Sequence, residues 1–212
     1  MKGLFITFEG TEGSGKSTQT GLLAERLRAA GRIVLALREP GGTPIGEEIR
    51  HTLQHSHRNH AMTPVAELLL LNASRAQLVR EVIRPALTAG NVVLCDRFHD
   101  STVAYQAFGR QLDLKKVQTV IDIAVGDTRP HRTFLLQIPL EVSERRRQAR
   151  HVATPAARDR MEESDREFFQ RVEEGYVAIA RQEPDRISVI DATRPVDTVG
   201  AAIWKQVQPM LD

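Results

Sequence analysis

An α/β fold, one parallel five-stranded sheet with helices on both faces, is what this sequence predicts. Two features lead there. Short apolar runs alternate along the chain with stretches of helical periodicity, and the first strand–helix junction carries a glycine-rich loop. Parallel strands need crossover connections, so a regular strand–helix alternation implies a parallel sheet between helical layers.

Leu4 to Glu9 reads as a buried strand ended by Gly10. A helix follows from Lys16, with Leu22, Leu23 and Leu27 on one face and Gly31 as its stop. Ile33 to Leu37 is the second strand, and the turn-rich Arg38-Glu39-Pro40-Gly41-Gly42-Thr43 leads into a short helix carrying Ile45, Ile49 and Leu53. Thr63 and Pro64 supply an N-cap and an N1 proline for a long helix that runs to about Arg84, where Pro85 ends or kinks it. Val92 to Asp96 is the third strand. Helical stretches follow over Thr102 to Ala107 and Asp113 to Val125, the second with Leu114, Val117, Ile121 and Ala124 on one side. Thr133 to Ile138 is the fourth strand, and a basic helix spans Val142 to Arg150. Glu162 to Arg181 is helical with Phe169, Val172, Tyr176 and Ile179 as its apolar face; Ile187 to Ile190 and Val196 to Leu211 complete the pattern.

At 212 residues the chain suits one domain, 1–212, with 41% hydrophobic and 26% charged residues, close to the globular average. A net charge of +2 gives no reason to expect nucleic-acid binding, so anion binding has to be local. The single cysteine, Cys95, lies in an apolar run and reads as a small buried strand residue. With no signal peptide and no long apolar span, the expectation is a cytoplasmic protein without a membrane partner.

Gly10-Thr11-Glu12-Gly13-Ser14-Gly15-Lys16-Ser17, followed by Thr18, matches the Walker A pattern between a strand and a helix, which makes a P-loop NTPase fold the particular α/β class. Glycines let backbone N–H groups turn onto phosphates, and the helix N-terminus adds partial positive charge. ATP is the expected donor, with Lys16 on its β- and γ-phosphates and Ser17 on Mg²⁺. Val92-Val93-Leu94-Cys95-Asp96 has the form of a Walker B strand, which adds Asp96 to the metal site, and Arg97 sets a cation beside that carboxylate.

A P-loop alone leaves the acceptor open. Phe8-Glu9-Gly10 entering the loop, Arg38 to Thr43, Ser74-Arg75-Ala76-Gln77, Asp96-Arg97 with Ala104-Tyr105-Gln106, and Asp159-Arg160 followed by Phe168-Phe169 occur in the order seen in thymidylate kinases. Over almost its whole length the chain resembles that family. The resemblance implies a kinase that moves the γ-phosphate of ATP onto dTMP, a homodimer built from helix faces, and an acceptor site of Glu12, Arg38, Leu71, Arg75, Arg97, Ser101, Tyr105 and Gln106. Arg38, Arg75 and Arg97 would address the acceptor's phosphate or base, Gln106 and Tyr105 its base and sugar, and Glu12 the acceptor or the water shell of the metal. Family members carry an arginine either in the P-loop or in a lid; Ser14 fills the loop here, so the basic-lid type is implied, at about 150–160 with Arg150, Arg158 and Arg160, the last catalytic beside Lys16, Glu12 and Arg97. A monophosphate whose second pKa is about 6 needs no strong general base, only cations that hold two polyanions in line.

Plainer readings stand beside these. Arg75 could be a surface arginine, Tyr105 a core residue, Arg38 the ion-pair partner of its neighbour Glu39, and Arg145 to Arg147 a solvated basic face. His51, His55, His57 and His60 read as a polar loop, without the companions of a metal cluster. A deoxynucleoside kinase would need Glu39 or Asp96 as a base, and a switch NTPase would need a guanine-reading motif that is absent. Finally, the family's base-stacking phenylalanine one turn before the helix arginine is here Leu71, which makes dUMP the closest competitor to dTMP.

Overall fold

The computed structural model of the chain describes residues 3–56, 59–153, 161 and 164–211. Among them a five-stranded parallel sheet has the order β2-β3-β1-β4-β5, from β1 (Leu4–Glu9), β2 (Val34–Arg38), β3 (Val92–Asp96), β4 (Arg132–Gln137) and β5 (Ile187–Asp191). The chain places β2 and β3 on one side of β1 and β4 and β5 on the other. That order opens a crevice beyond the carboxyl end of β1, where connections leave in opposite directions. Register brings the ends together: Phe8 pairs with Asp96, and Asp96 with Arg38.

Side-chain alternation along the central strands divides the interior into two layers. Leu4, Ile6 and Phe8 of β1, with Leu94, Phe134 and Leu136, pack under α1 (Lys16–Ala29) and α9 (Val196–Val207) through Leu23, Leu27 and Ile203. Phe5, Val93, Cys95 and Leu135 face the opposite layer, where Leu78, Phe98, Ile121, Phe169 and Val172 meet them. That layer holds α3 (Pro64–Leu78), α5 (His99–Thr102), α6 (Leu114–Val125) and α8 (Arg166–Gln182). Glu9 has the parity of Phe5 and Thr7, so its carboxyl points to the α8 side. Cys95 is buried, and burial pushes its thiol up, away from reactivity.

Side-chain caps fix several helix starts. The N-cap oxygens of Thr43, Asp113 and Asp165 accept from Gly46, Lys116 and Phe168 N–H at 3.0, 2.9 and 2.7 Å. α2 (Pro44–Gln54) begins behind Thr43, and α7 (Leu140–Ala153) carries the basic stretch.

The sequence expectations need adjustment where local pattern competes with packing. Leu22, Ile33, Ile45 and Leu114 are exposed. In α1 the buried face runs through Leu23 and Leu27, four apart, and leaves the neighbouring Leu22 outward. Pro85 does not end the third helix. After Leu78 the coil widens to a π-helical turn over Val79–Ile83, Arg84 N–H bonds Val79 O five residues back, and α4 (Arg84–Thr88) continues through the proline. The wider turn accommodates a residue with no N–H to give. A second π-helical segment, Val103–Gly109, follows α5 and carries Tyr105 and Gln106. The helix expected from Glu162 begins at Arg166, behind its Asp165 cap.

Gly10 ends β1 at φ 136°, and a Cβ there would lie 2.4 Å from the Leu136 carbonyl oxygen of β4. Gly10→Ala therefore meets both strain and a backbone clash. Thermal and urea unfolding of that variant should show a loss of about 2–4 kcal/mol.

Candidate active site

The P-loop leaves β1 at Gly10 and enters α1 at Lys16, with Gly15 in the left-handed region at φ 92°. Lys16 Nζ donates to Gly10 O at 3.0 Å and Thr11 O at 2.9 Å, and reaches Ser14 Oγ at 3.4 Å. Burial, then the nearby Arg97, lowers its ammonium to about 8, against the pull of Asp96 and Glu12. Ser17 Oγ donates directly to Asp96 Oδ2, so the two oxygen groups expected to hold a metal meet across the ends of α1 and β3. The loop is braced from behind by α7: Ser143 Oγ donates to Glu12 O at 2.7 Å and Arg146 Nη1 to Gly13 O at 2.9 Å. Gly13 permits that approach, since a Cβ there would lie 2.9 Å from Arg146 Cβ.

Arg97 is the hub beyond β3. It is one of two non-glycine residues in the left-handed region among the described residues, at φ 69°. Its N–H bonds Phe8 O at 2.9 Å. Its guanidinium donates to Glu12 Oε1 at 2.8 Å, Gly10 O at 3.2 Å, Ser101 Oγ at 3.2 Å, Tyr105 Oη at 3.2 Å and Tyr176 Oη at 3.3 Å. Tyr105 in turn donates to Glu12 at 2.8 Å. Burial alone would raise the Glu12 carboxyl; the cations Arg97 and Lys16, with the Tyr105 hydroxyl, outweigh it and hold Glu12 below the usual range.

Glu9 lies deeper. It accepts from Phe98 N–H at 2.7 Å, Ser101 N–H at 3.3 Å, Ser101 Oγ at 2.6 Å and Tyr176 Oη at 3.0 Å. Burial, then the Asp100 carboxylate, pushes it up to about 7, opposed by Ser101 and Arg97. Asp100 itself is paired with Arg186 at 2.7 and 2.8 Å.

Arg75 is 2% exposed and not a surface arginine. It donates to Glu39 Oε2 at 2.8 Å, Asn72 Oδ1 at 2.9 Å, Thr102 Oγ1 at 2.9 Å and Phe98 O at 3.1 Å. Arg38 pairs with Glu47 of α2 at 3.0 Å and not with its neighbour Glu39. The basic run on α7 divides: Arg145 is exposed, Arg146 holds the P-loop, and Arg147 stacks 4.1 Å over the Phe169 ring. Of the histidines, His51 lies in α2 and His55 caps it, rather than in a loop; no group of three metal-binding side chains occurs among the described residues.

These groups surround one open cavity of about 620 Å³. Glu12, Gly13, Gly15, Lys16, Ser17 and Thr18 of the P-loop and its helix line it, with Asp96. Arg38, Leu71, Arg75, Arg97, Ser101, Tyr105 and Gln106 line the rest, so the expected acceptor residues converge on the same space. Tyr105 is buried, yet its hydroxyl serves Glu12, so the core and site readings both describe it. Of the lid expected at 150–160, residues 150–153 form the end of α7, while 154–160, with Arg158 and Arg160, and the side chain of Arg150 lie outside the described residues, as does His57. Sequence reasoning gave no role to Glu67, Arg110, Met161, Ser143 or Arg146, and placed Tyr176 only in an apolar face. A glutamate in the first turn of a helix reads as a dipole partner. Its burial at Glu67 is a tertiary fact.

The fold and the P-loop together define a P-loop nucleotide-binding protein whose cavity extends from the loop to Arg38, Leu71 and Gln106. The family model for thymidylate kinase matches residues 8–203. A thymidylate kinase from Synechococcus sp. is 47% identical over 98% of this chain and 96% of its own, and one from Deinococcus radiodurans is 45% identical over 97% of both. The crystal structure of thymidylate kinase from Ehrlichia chaffeensis superposes with a TM-score of 0.77 at 32% identity, over 98% of this chain and all of the other. The chain belongs to the thymidylate kinase family.

Glu9 titrates in the folded chain above the ordinary carboxylate value of 4.5, so the folded state holds a proton that the unfolded state has released. Its contribution to stability is complete below pH 4.5 and is lost as pH rises toward about 7. Comparing melting curves of the parent and Glu9→Gln, the parent's relative stability should fall over that window by on the order of 1 kcal/mol per pH unit. A flat difference would place the Glu9 titration outside it.

Proposed function

We propose that the cavity is where the γ-phosphoryl group of ATP passes to dTMP, giving dTDP and ADP. The observation that carries this reading is the convergence of the Walker A loop and the Glu12–Arg97–Tyr105 cluster on one cavity, in a chain of the thymidylate kinase family. The family favours dTMP over dUMP as acceptor.

Lys16 and the loop N–H groups take the β- and γ-phosphates, and the N-terminus of α1 adds partial positive charge. Ser17 and Asp96, in direct contact, form a hard oxygen pair suited to Mg²⁺, which binds through few protein groups and completes its shell with phosphate oxygens and water. The ion would neutralise phosphate charge. Arg97 faces the acceptor phosphate, with Glu12 and Tyr105 fixing its fork. Because that phosphate is already largely a dianion, orientation and charge stabilisation replace proton abstraction. Leu71 covers a face of the base, while Arg75 and Gln106 bound its edge. The lid expected at 150–160 would bring its arginines, Arg150, Arg158 and Arg160, to the phosphates, Arg160 acting on charge that develops during transfer. The chain works as one kinase domain in the cytoplasm and as a homodimer; Val65 and Leu69 on α3 and Leu114 and Ile123 on the adjoining α6 are exposed apolar side chains that a second copy would cover.

The test is a panel of nucleoside monophosphates and deoxynucleosides with Mg-ATP, reading ADP release and product identity together. Failure of dTMP to yield dTDP while another acceptor is phosphorylated would overturn the assignment. Arg97→Ala should lower kcat/KM for dTMP by about 100-fold or more while ATP still binds, a split that titration with labelled nucleotide resolves. Leu71→Phe should lower KM for dTMP several-fold and leave KM for ATP unchanged, since an aromatic ring adds stacking worth about 1–3 kcal/mol. An unchanged acceptor KM would remove Leu71 from the base subsite.

A further inference from the structure

Gln106, which lines the cavity, forms a buried pair with Glu67 behind it. Gln106 is 1% exposed and Glu67 is fully buried in the first turn of α3. Gln106 Nε2 donates to Glu67 Oε1 at 2.9 Å, and the same carboxylate receives Arg110 Nε and Nη2, each at 3.2 Å. Arg110 is itself held 4.6 Å over the Phe168 ring. A carboxylate engaged by a guanidinium offers only acceptors, so the neighbouring amide has one orientation: NH₂ toward Glu67, oxygen away. That oxygen, Gln106 Oε1, is buried and has no hydrogen-bond partner, and Gln106 lines the cavity together with Leu71, one turn beyond Glu67 on α3.

We infer that Glu67 is a positioning residue for base selection: by locking the Gln106 amide it presents a lone acceptor to the bound base, which an imide N–H satisfies and a ring-nitrogen acceptor does not. The inference rests on the dTMP reading of this cavity. Thymine carries N3–H, whereas cytosine carries an unprotonated N3 at the same place, so a cytosine base would set acceptor against acceptor at this buried oxygen. A buried acceptor left unpaired costs more than the bond it would have made, which makes such a lock an effective sieve. Arg110 holds the lock through its ion pair with Glu67 and has no direct part in reading the base.

In Glu67→Gln the new amide turns its oxygen to Arg110 and its NH₂ to Gln106, and Gln106 flips to present a donor. With ATP fixed, kcat/KM for dTMP should drop about 10–100-fold, mainly through KM, and the dCMP-to-dTMP activity ratio should rise at least about tenfold. Glu67→Asp, which keeps the carboxylate, should stay closer to the parent ratio than Glu67→Gln. The parent chain supplies a measurement independent of any variant's folding: dTMP methylated at N3 should be phosphorylated at least about 100-fold less efficiently than dTMP. A folded Glu67→Gln with the parent ratio overturns the inference, and so does N3-methyl-dTMP turned over as well as dTMP. If the parent itself does not phosphorylate dTMP, the reading of the cavity fails first, and the two failures are thereby distinguished.

Discussion

The carboxylate of Glu9 ties the end of β1 to the segment leaving β3, and the site is arranged around that tie. It accepts from two main-chain N–H groups, Phe98 and Ser101, on either side of the turn into α5, and from the side chains of Ser101 and Tyr176. The turn it secures is the one that holds Arg97 at a positive φ, a conformation costing about 1–3 kcal/mol unless its surroundings impose it. Strand parity sends Glu9 to the α8 layer, so the carboxylate links sheet, helix and active-site turn at once. Without that anchor, the guanidinium of Arg97 would have no fixed address between Glu12 and the tyrosines.

Two glutamates three residues apart end in opposite electrostatic situations. At Glu12 the charges of Arg97 and Lys16 outweigh burial and hold the carboxyl ionised; at Glu9 burial, then Asp100, pushes it toward protonation. The contrast follows from which layer each faces. Glu12 lines the cavity beside Lys16 and Arg97, and Glu9 is enclosed by hydroxyl and amide donors. Arg75 shows the same economy of charge: its partner Glu39 is buried beside it, and burial raises that carboxyl despite the arginine. A buried pair of this kind is weak support for stability, and its geometric role is the better attested one.

Much of this was legible in the chain. The Walker A residues have fixed spacing because backbone N–H groups must turn inward at successive positions, and β1, α1 and β3 follow from short-range pattern alone. The expected acceptor residues came only through family resemblance, since Arg75 on α3 and the pair Tyr105 and Gln106 after α5 lie on elements that only the sheet topology brings together. The residues that were missed act across long sequence separations. Glu67 meets Gln106 and Arg110 about one-fifth of the chain later, and Arg146 meets Gly13 from the far end of the fold, so no local periodicity announces either contact. The π-helical turns were invisible for a related reason: an inserted residue barely disturbs an apolar pattern, and only hydrogen bonding reveals it.

The widened coil over Val103–Gly109 bears on attempts to make this protein hardier. Regular α-helix is the usual target of such work, because ideal geometry and good helix formers raise stability with little risk. Here the irregular register puts the consecutive Tyr105 and Gln106 both on the cavity, while Gly175 lets α8 close on Phe108 and Ala104 behind them. Shortening the segment by one residue to recover standard bonding would rotate everything beyond it by about 100° about the helix axis. Thermostabilisation that treats this turn as a defect would exchange catalysis for rigidity, whereas α9 and the outer face of α1 carry no such obligation.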